Sequence, residues 1–216
     1  AISGDALPEG GSNVAVGKGS LTSDTLGSRS TAIGFQSLAS QNFTTSTSSN
    51  NVAVGYNAGN SVTTGTGNTL IGTQAGTSKT TGNNDVAIGI SALSTDVAGQ
   101  NSVAVGYNAL AAQNFTTATN SYNVAVGRSA GTSVTTGIHN TILGSLAGDA
   151  LTDADNNVAV GYNALSADTL GSKSVALGRA ALNVQNFTTA TDSNNVAVGY
   201  NAGLSVTTGT ENTVVG

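Results

Sequence analysis

The chain has 216 residues with a net charge of −5, and its 29 glycines sit beside one proline and no cysteine, methionine or tryptophan. Charged residues make up only 8%, about a third of the usual share for a soluble domain. The absence of cysteine excludes disulfide and thiolate–metal frameworks, no basic patch is available for nucleic-acid phosphates, and no apolar run approaches a membrane-spanning length.

Taken in chain order, the sequence is one short element repeated. "NVAVG" closes at Gly17, "STAIG" at Gly34, "NVAVG" at Gly55 and "NTLIG" at Gly72. The next four units close at Gly89, Gly106, Gly127 and Gly144, and the last four at Gly161, Gly178, Gly199 and Gly216. The steps run 17, 21, 17 and 17 residues, summing to 72, so the chain reads as three blocks, 1–72, 73–144 and 145–216. A period this short with strand-like alternation is the signature of a β-solenoid in which each unit is one coil. The expected fold is therefore all-β, a parallel β-roll of twelve 17- or 21-residue coils forming one repeat domain. At the strand spacing of a stacked sheet, such a rod is roughly 55–60 Å long. The opening "AISGDALPEG" lacks signal-peptide regions, and nothing at either end resembles a cap. The chain is expected to be a segment of a longer fibre protein.

Within each unit a strand ends at the glycine. Alternation predicts that the aliphatics one and three before it, such as Val54 and Val52, point into the coil, with the residue between them facing outward. That middle row reads Ala15, Ala32, Ala53, Leu70, Ala87, Ala104, Ala125, Ile142, Ala159, Ala176, Ala197 and Val214. Apolar residues on the outside of a strand mark a second buried face, so this row is the candidate chain–chain interface. A flattened coil that packs the row within its own chain is the alternative. Four before the glycine stands Asn in eight units, either as a stacked amide ladder or as a turn residue. The 21-residue units each carry "QNFTT", and the four-residue expansion is expected to bulge outward and tuck Phe43, Phe115 or Phe187 against a neighbouring coil or chain.

The stretches "NSVAVGYNA" (101–109), "NVAVGRSA" (123–130) and "SVALGRAA" (174–181) resemble the head repeats of trimeric autotransporter adhesins of the YadA type. The resemblance covers all twelve units. It implies a left-handed parallel β-roll, three chains around a common axis, and a place outside the cell. The coils here are longer than the family's, and no neck, stalk or anchor segment accompanies them. Related repeats occur in phage tail-fibre shafts.

No catalytic constellation stands out, and no metal or cofactor is expected. His139 is a lone histidine without triad or zinc partners. Asp149, Asp153, Asp155 and Asn156 gather oxygens of the kind calcium takes, but their spacing is not that of an EF-hand, and a solvated loop is expected. Gly65 and Gly67 lack the strand-to-helix context of a phosphate loop. Tyr56, Tyr107, Tyr162 and Tyr200 follow the motif glycine and either cover the bend or meet a sugar or receptor. "NFT" at Asn42, Asn114 and Asn186 matches a glycosylation sequon once per block. Thr63 with Thr64, Thr135 with Thr136 and Thr207 with Thr208 would suit ice binding if every coil carried them. They recur once per block, with Lys79, Asp96 and Asp168 interrupting the array.

The function expected is non-enzymatic: a homo-oligomeric, trimeric extracellular fibre acting as spacer and adhesive surface for a host-surface or matrix ligand. A tail-fibre shaft on a virion is the alternative, and an ice-binding solenoid a more distant one.

Overall fold

A computed structural model describes residues 11–216. Two compact units divide the chain: residues up to Ser102 with Asn114–Asn120, and Val103–Gln113 with Ser121–Gly216. No helix occurs among the described residues; twelve strands of three residues and six of two make up the regular structure. In the first unit Val14–Val16, Thr31–Ile33, Val52–Val54, Thr69–Ile71 and Val86–Ile88 pair in parallel, each with the next. In the second, seven strands from Val103–Val105 to Thr213–Val215 do the same. Every pairing joins equivalent repeat positions, as Val52↔Thr69 and Ala53↔Leu70 show. This is a parallel β-solenoid with one coil per repeat, the fold class expected.

The motif glycine is set by its neighbour in the next coil. Gly55 has φ +141°, and a Cβ there would fall 2.5 Å from the carbonyl oxygen of Gly72; at Gly178 the gap to Gly199 O would be 2.2 Å. A side chain is barred both by the backbone angle and by contact with an immovable main chain.

Burial reverses the expected facing of the strand. Ten members of the middle row, Ala32 through Ala197, are wholly buried within the single chain, while Ala15 and Val214 are partly covered. The residues on either side of them are all half-buried or exposed. Ala15, Ala32, Ala53, Leu70, Ala87, Ala104, Ala125, Ile142, Ala159, Ala176, Ala197 and Val214 thus form the inner row, and the ten buried ones have no surface to offer a partner chain. The cause lies two residues earlier in the strand. The Asn-type row is itself buried and hydrogen-bonded inside the coil, and residues two apart share a face.

Size is balanced across the narrow interior. Most coils oppose an inner-row Ala with a Leu four after the glycine, such as Leu38, Leu93 or Leu165. Where the inner row is large, that position turns to glycine: a Cβ on Gly59 or Gly76 would lie 2.7 Å from a methyl of Leu70. Ile142 stands between Gly131 and Gly148 in the same way. The 21-residue coils add a second short strand, as Thr119–Asn120 paired with Gly99–Gln100. They also bury Phe43, Phe115 and Phe187. Phe187 lies so close over Gly171 that a Cβ there would meet its ring at 2.8 Å.

The Leu70–Gly76 exchange is testable by urea denaturation. G76L alone should cost about 1–3 kcal/mol through overpacking, and L70A alone about 2–5 kcal/mol through the cavity it leaves. The double variant L70A/G76L recreates the Ala32–Leu38 pairing and should lose clearly less than the sum; simple additivity would contradict the size balance.

Candidate functional site

The outward face of each strand carries two aliphatic or Thr positions, with a third position just beyond the glycine. Val126 and Leu143 are exposed by 39% and 36%, beside half-buried Val124 and Thr141. Because strands stack in register, these side chains form continuous rows along each unit, where an ordinary solenoid surface would be polar. The position after the glycine adds exposed Phe35, Tyr56, Tyr107, Tyr162 and Tyr200. The rings of Phe35 and Tyr56 stack at 5.4 Å. Arg179 lies between Tyr162 and Tyr200, at 5.7 and 5.2 Å from their centroids, and its Nη1 donates to the Tyr200 hydroxyl at 2.9 Å. The tyrosines are therefore surface groups on the margin of the aliphatic face.

Inside the coil the Asn row ties each level to the next through the backbone. Asn51 Oδ1 accepts the Asn68 N–H at 2.9 Å, and its Nδ2 donates to Gly65 O at 2.7 Å. Asn68, Asn123, Asn140 and Asn157 repeat the pattern. The ladder joins side chain to main chain, which combines features of the two readings of this row.

At Asp85 the row has a carboxylate, which cannot donate. The carbonyl that an Asn would have bonded, Gly99 O, is met instead by Lys79 Nζ at 2.8 Å. That ammonium also lies 2.7 Å from Asp85 Oδ2 and 3.0 Å from Asp96 Oδ2, with all three side chains wholly buried. Burial pushes the Asp85 carboxyl up from 3.8 to about 6, opposed by the charge of Lys79 and its hydrogen bond. In the third block Leu151, Asn157 and Asp168 occupy the equivalent positions, and Asp168 takes a hydrogen bond from Gln185 Nε2 at 2.6 Å. Lys79, Asp96 and Asp168 do not interrupt a surface threonine array: they are inside the coil. The sequence signal for the triad was the paired change of Leu to Lys and Asn to Asp in one block.

Elsewhere the candidates stay apart. His139 stacks on Tyr122 at 5.6 Å in a left-handed backbone position. Asp153 and Asp155 line an open groove of about 580 Å³ with Thr136, Ser172 and Asp192. Asp153 accepts from the Thr136 hydroxyl, and Asp155 accepts the Ile138 N–H at 2.7 Å. Asp149 is partly buried, which raises its carboxyl above the usual range. No cluster of three or more His, Cys, Asp or Glu side chains suited to a metal ion occurs among the described residues.

No family model, curated protein or solved structure matches this chain. Fold and surface together define a parallel β-solenoid with an aliphatic outer face.

Removing Lys79 leaves the Asp85 carboxylate buried without a cation and Gly99 O without its donor. K79L/D85N, which reinstates the Leu151–Asn157 combination, is therefore expected to be more stable than K79L by about 1–3 kcal/mol in urea denaturation. Equal stability of the two variants would contradict the exchange of amide for ammonium.

Proposed function

We propose that this chain is a non-enzymatic repeat segment of an extracellular homotrimeric fibre, serving as a stiff spacer and adhesive surface. The observation that carries the reading is the outward aliphatic face of the strands. Soluble monomers rarely expose a long contiguous apolar patch, and a flat parallel sheet face is readily covered by another of its kind. Association thus moves from the Ala row to the Val, Ile, Leu and Thr residues flanking it. The count of three rests on the resemblance to adhesin head repeats. The tyrosine and arginine margin supplies groups able to contact a ligand while the aliphatic rows are occupied.

The native mass by light scattering should be near three times 21.0 kDa. Glutamate placed on the exposed row, V126E, should shift the mass towards that of a folded monomer. The same change one residue earlier, A125E, should unfold the coil. A stable wild-type monomer would overturn the association.

A further inference from the structure

We propose that Lys79 and Asp85 are joined by an intramolecular isopeptide bond, with Asp96 acting as the proton carrier. A lysine ammonium taken wholly out of water is costly, and Lys79 is the bulkiest of the wholly buried side chains. Its environment holds more than a counter-ion. The two carboxylates are fixed through their Oδ1 atoms: Asp85 by the Ser102 N–H at 2.7 Å, Asp96 by the N–H groups of Gly99 at 3.2 Å and Phe115 at 3.0 Å. Both present Oδ2 to the same amine, at 2.7 and 3.0 Å. Nucleophile, electrophile and base are thus held in contact in a dry interior, the arrangement in which proximity replaces activation.

The step balances without any outside reagent. A proton passes from the Lys79 ammonium to the Asp85 carboxylate, giving a neutral amine beside a neutral acid. Burial favours this state, since it already holds the Asp85 carboxyl up at about 6. Nζ then attacks Cγ of Asp85 and forms the N–C bond. Asp96 takes a proton from that nitrogen and returns it to a hydroxyl of the tetrahedral centre, whose C–O bond breaks to release one water. Asp96 ends ionised, as it began.

Two buried charges become a neutral amide, and Asp96, which loses its cation, keeps the N–H groups of Gly99 and Phe115, as Asp168 keeps those of Gly171 and Phe187 with no lysine beside it. The partners of the product are already in place. Ser102 N–H still meets the amide oxygen, and the remaining N–H has Gly99 O as its acceptor, 2.8 Å from Nζ. The bond links one side of the coil to the other across a bend of six residues in sequence, a staple present only in the middle block.

The test is the intact mass of the whole 216-residue chain under denaturing conditions. The wild type should be lighter than its sequence by one water, with trypsin failing to cut after Lys79 and no backbone fragments between residues 79 and 85. D85N should be lighter by one ammonia, because the leaving group is then the amide nitrogen. D96N, checked for folding by circular dichroism, should have its full mass. K79L/D85N, built to the third block's pattern, should fold and show no loss.

A folded wild type of full mass that trypsin cuts at Lys79 overturns the bond, as does a water loss that persists in K79L/D85N. D96N still lighter by one water overturns the role of Asp96. Stability against pH gives an independent readout. Unlinked Asp85 ionises at about 6 when folded and 3.8 when unfolded. The folded chain then holds the extra proton, and stability falls as pH rises between those values. The linked chain lacks the Asp85 share of that slope and should match K79L/D85N, in which the raised Asp149 still titrates; a wild type steeper than K79L/D85N would contradict the bond.

Discussion

The buried asparagine row sets the facing of every strand. Its asparagines spend their oxygen on a backbone N–H of the next coil and their nitrogen on a carbonyl three residues earlier in that coil, as at Asn140 with Asn157 and Ala154. A buried amide must satisfy donors and acceptor alike, and here both find main-chain partners at Asn51, Asn68, Asn123, Asn140 and Asn157. Once this row points inward, strand geometry sends the Ala row inward with it and the flanking aliphatics outward. The coil is polar at one inner edge, apolar through the rest of its interior and partly apolar on one outer face, which inverts the facing expected of a strand flanked by aliphatics.

That inversion needs coils stacked closely and in register. The glycine that ends each strand permits it, because its missing Cβ is where the next coil's carbonyl lies. Close stacking leaves little interior volume, which explains why alanine dominates the inner row and why a leucine there demands glycines opposite. Charges are also drawn inside: Asp24, Lys79, Asp85, Asp96 and Asp168 are all wholly buried. Each fills a place where the coil's polar wall requires a hydrogen-bonding group, as Asp24 does for Gly27 N–H and Gln41 Nε2.

The repeat, the coil length, the parallel stacking and the tucked phenylalanines were legible in the sequence because each rests on spacing alone. The facing of the strand was not. Two aliphatics flanking an alanine read as a hydrophobic interior, and both alternations satisfy period two equally. Only the fate of the Asn side chains separates them, and a turn or an outer ladder would have left those amides outside. Lys79 was similarly misplaced, since a lone lysine in a Thr- and Ser-rich stretch reads as surface. Comparing the blocks position by position exposes it: Lys79 stands where Leu151 does, and Asp85 where Asn157 does. The repeat itself supplied the reference that a single sequence otherwise lacks.

The inward Asn row is tested most directly by hydrogen exchange of the side-chain amides, followed by nuclear magnetic resonance. The Nδ2 protons of Asn68, Asn140 and Asn157 should exchange as slowly as the strand backbone amides, while exposed Asn50 and Asn194 exchange at the rate of surface groups. Equally fast exchange at all five would place the row in solvent and contradict the facing on which the whole arrangement depends.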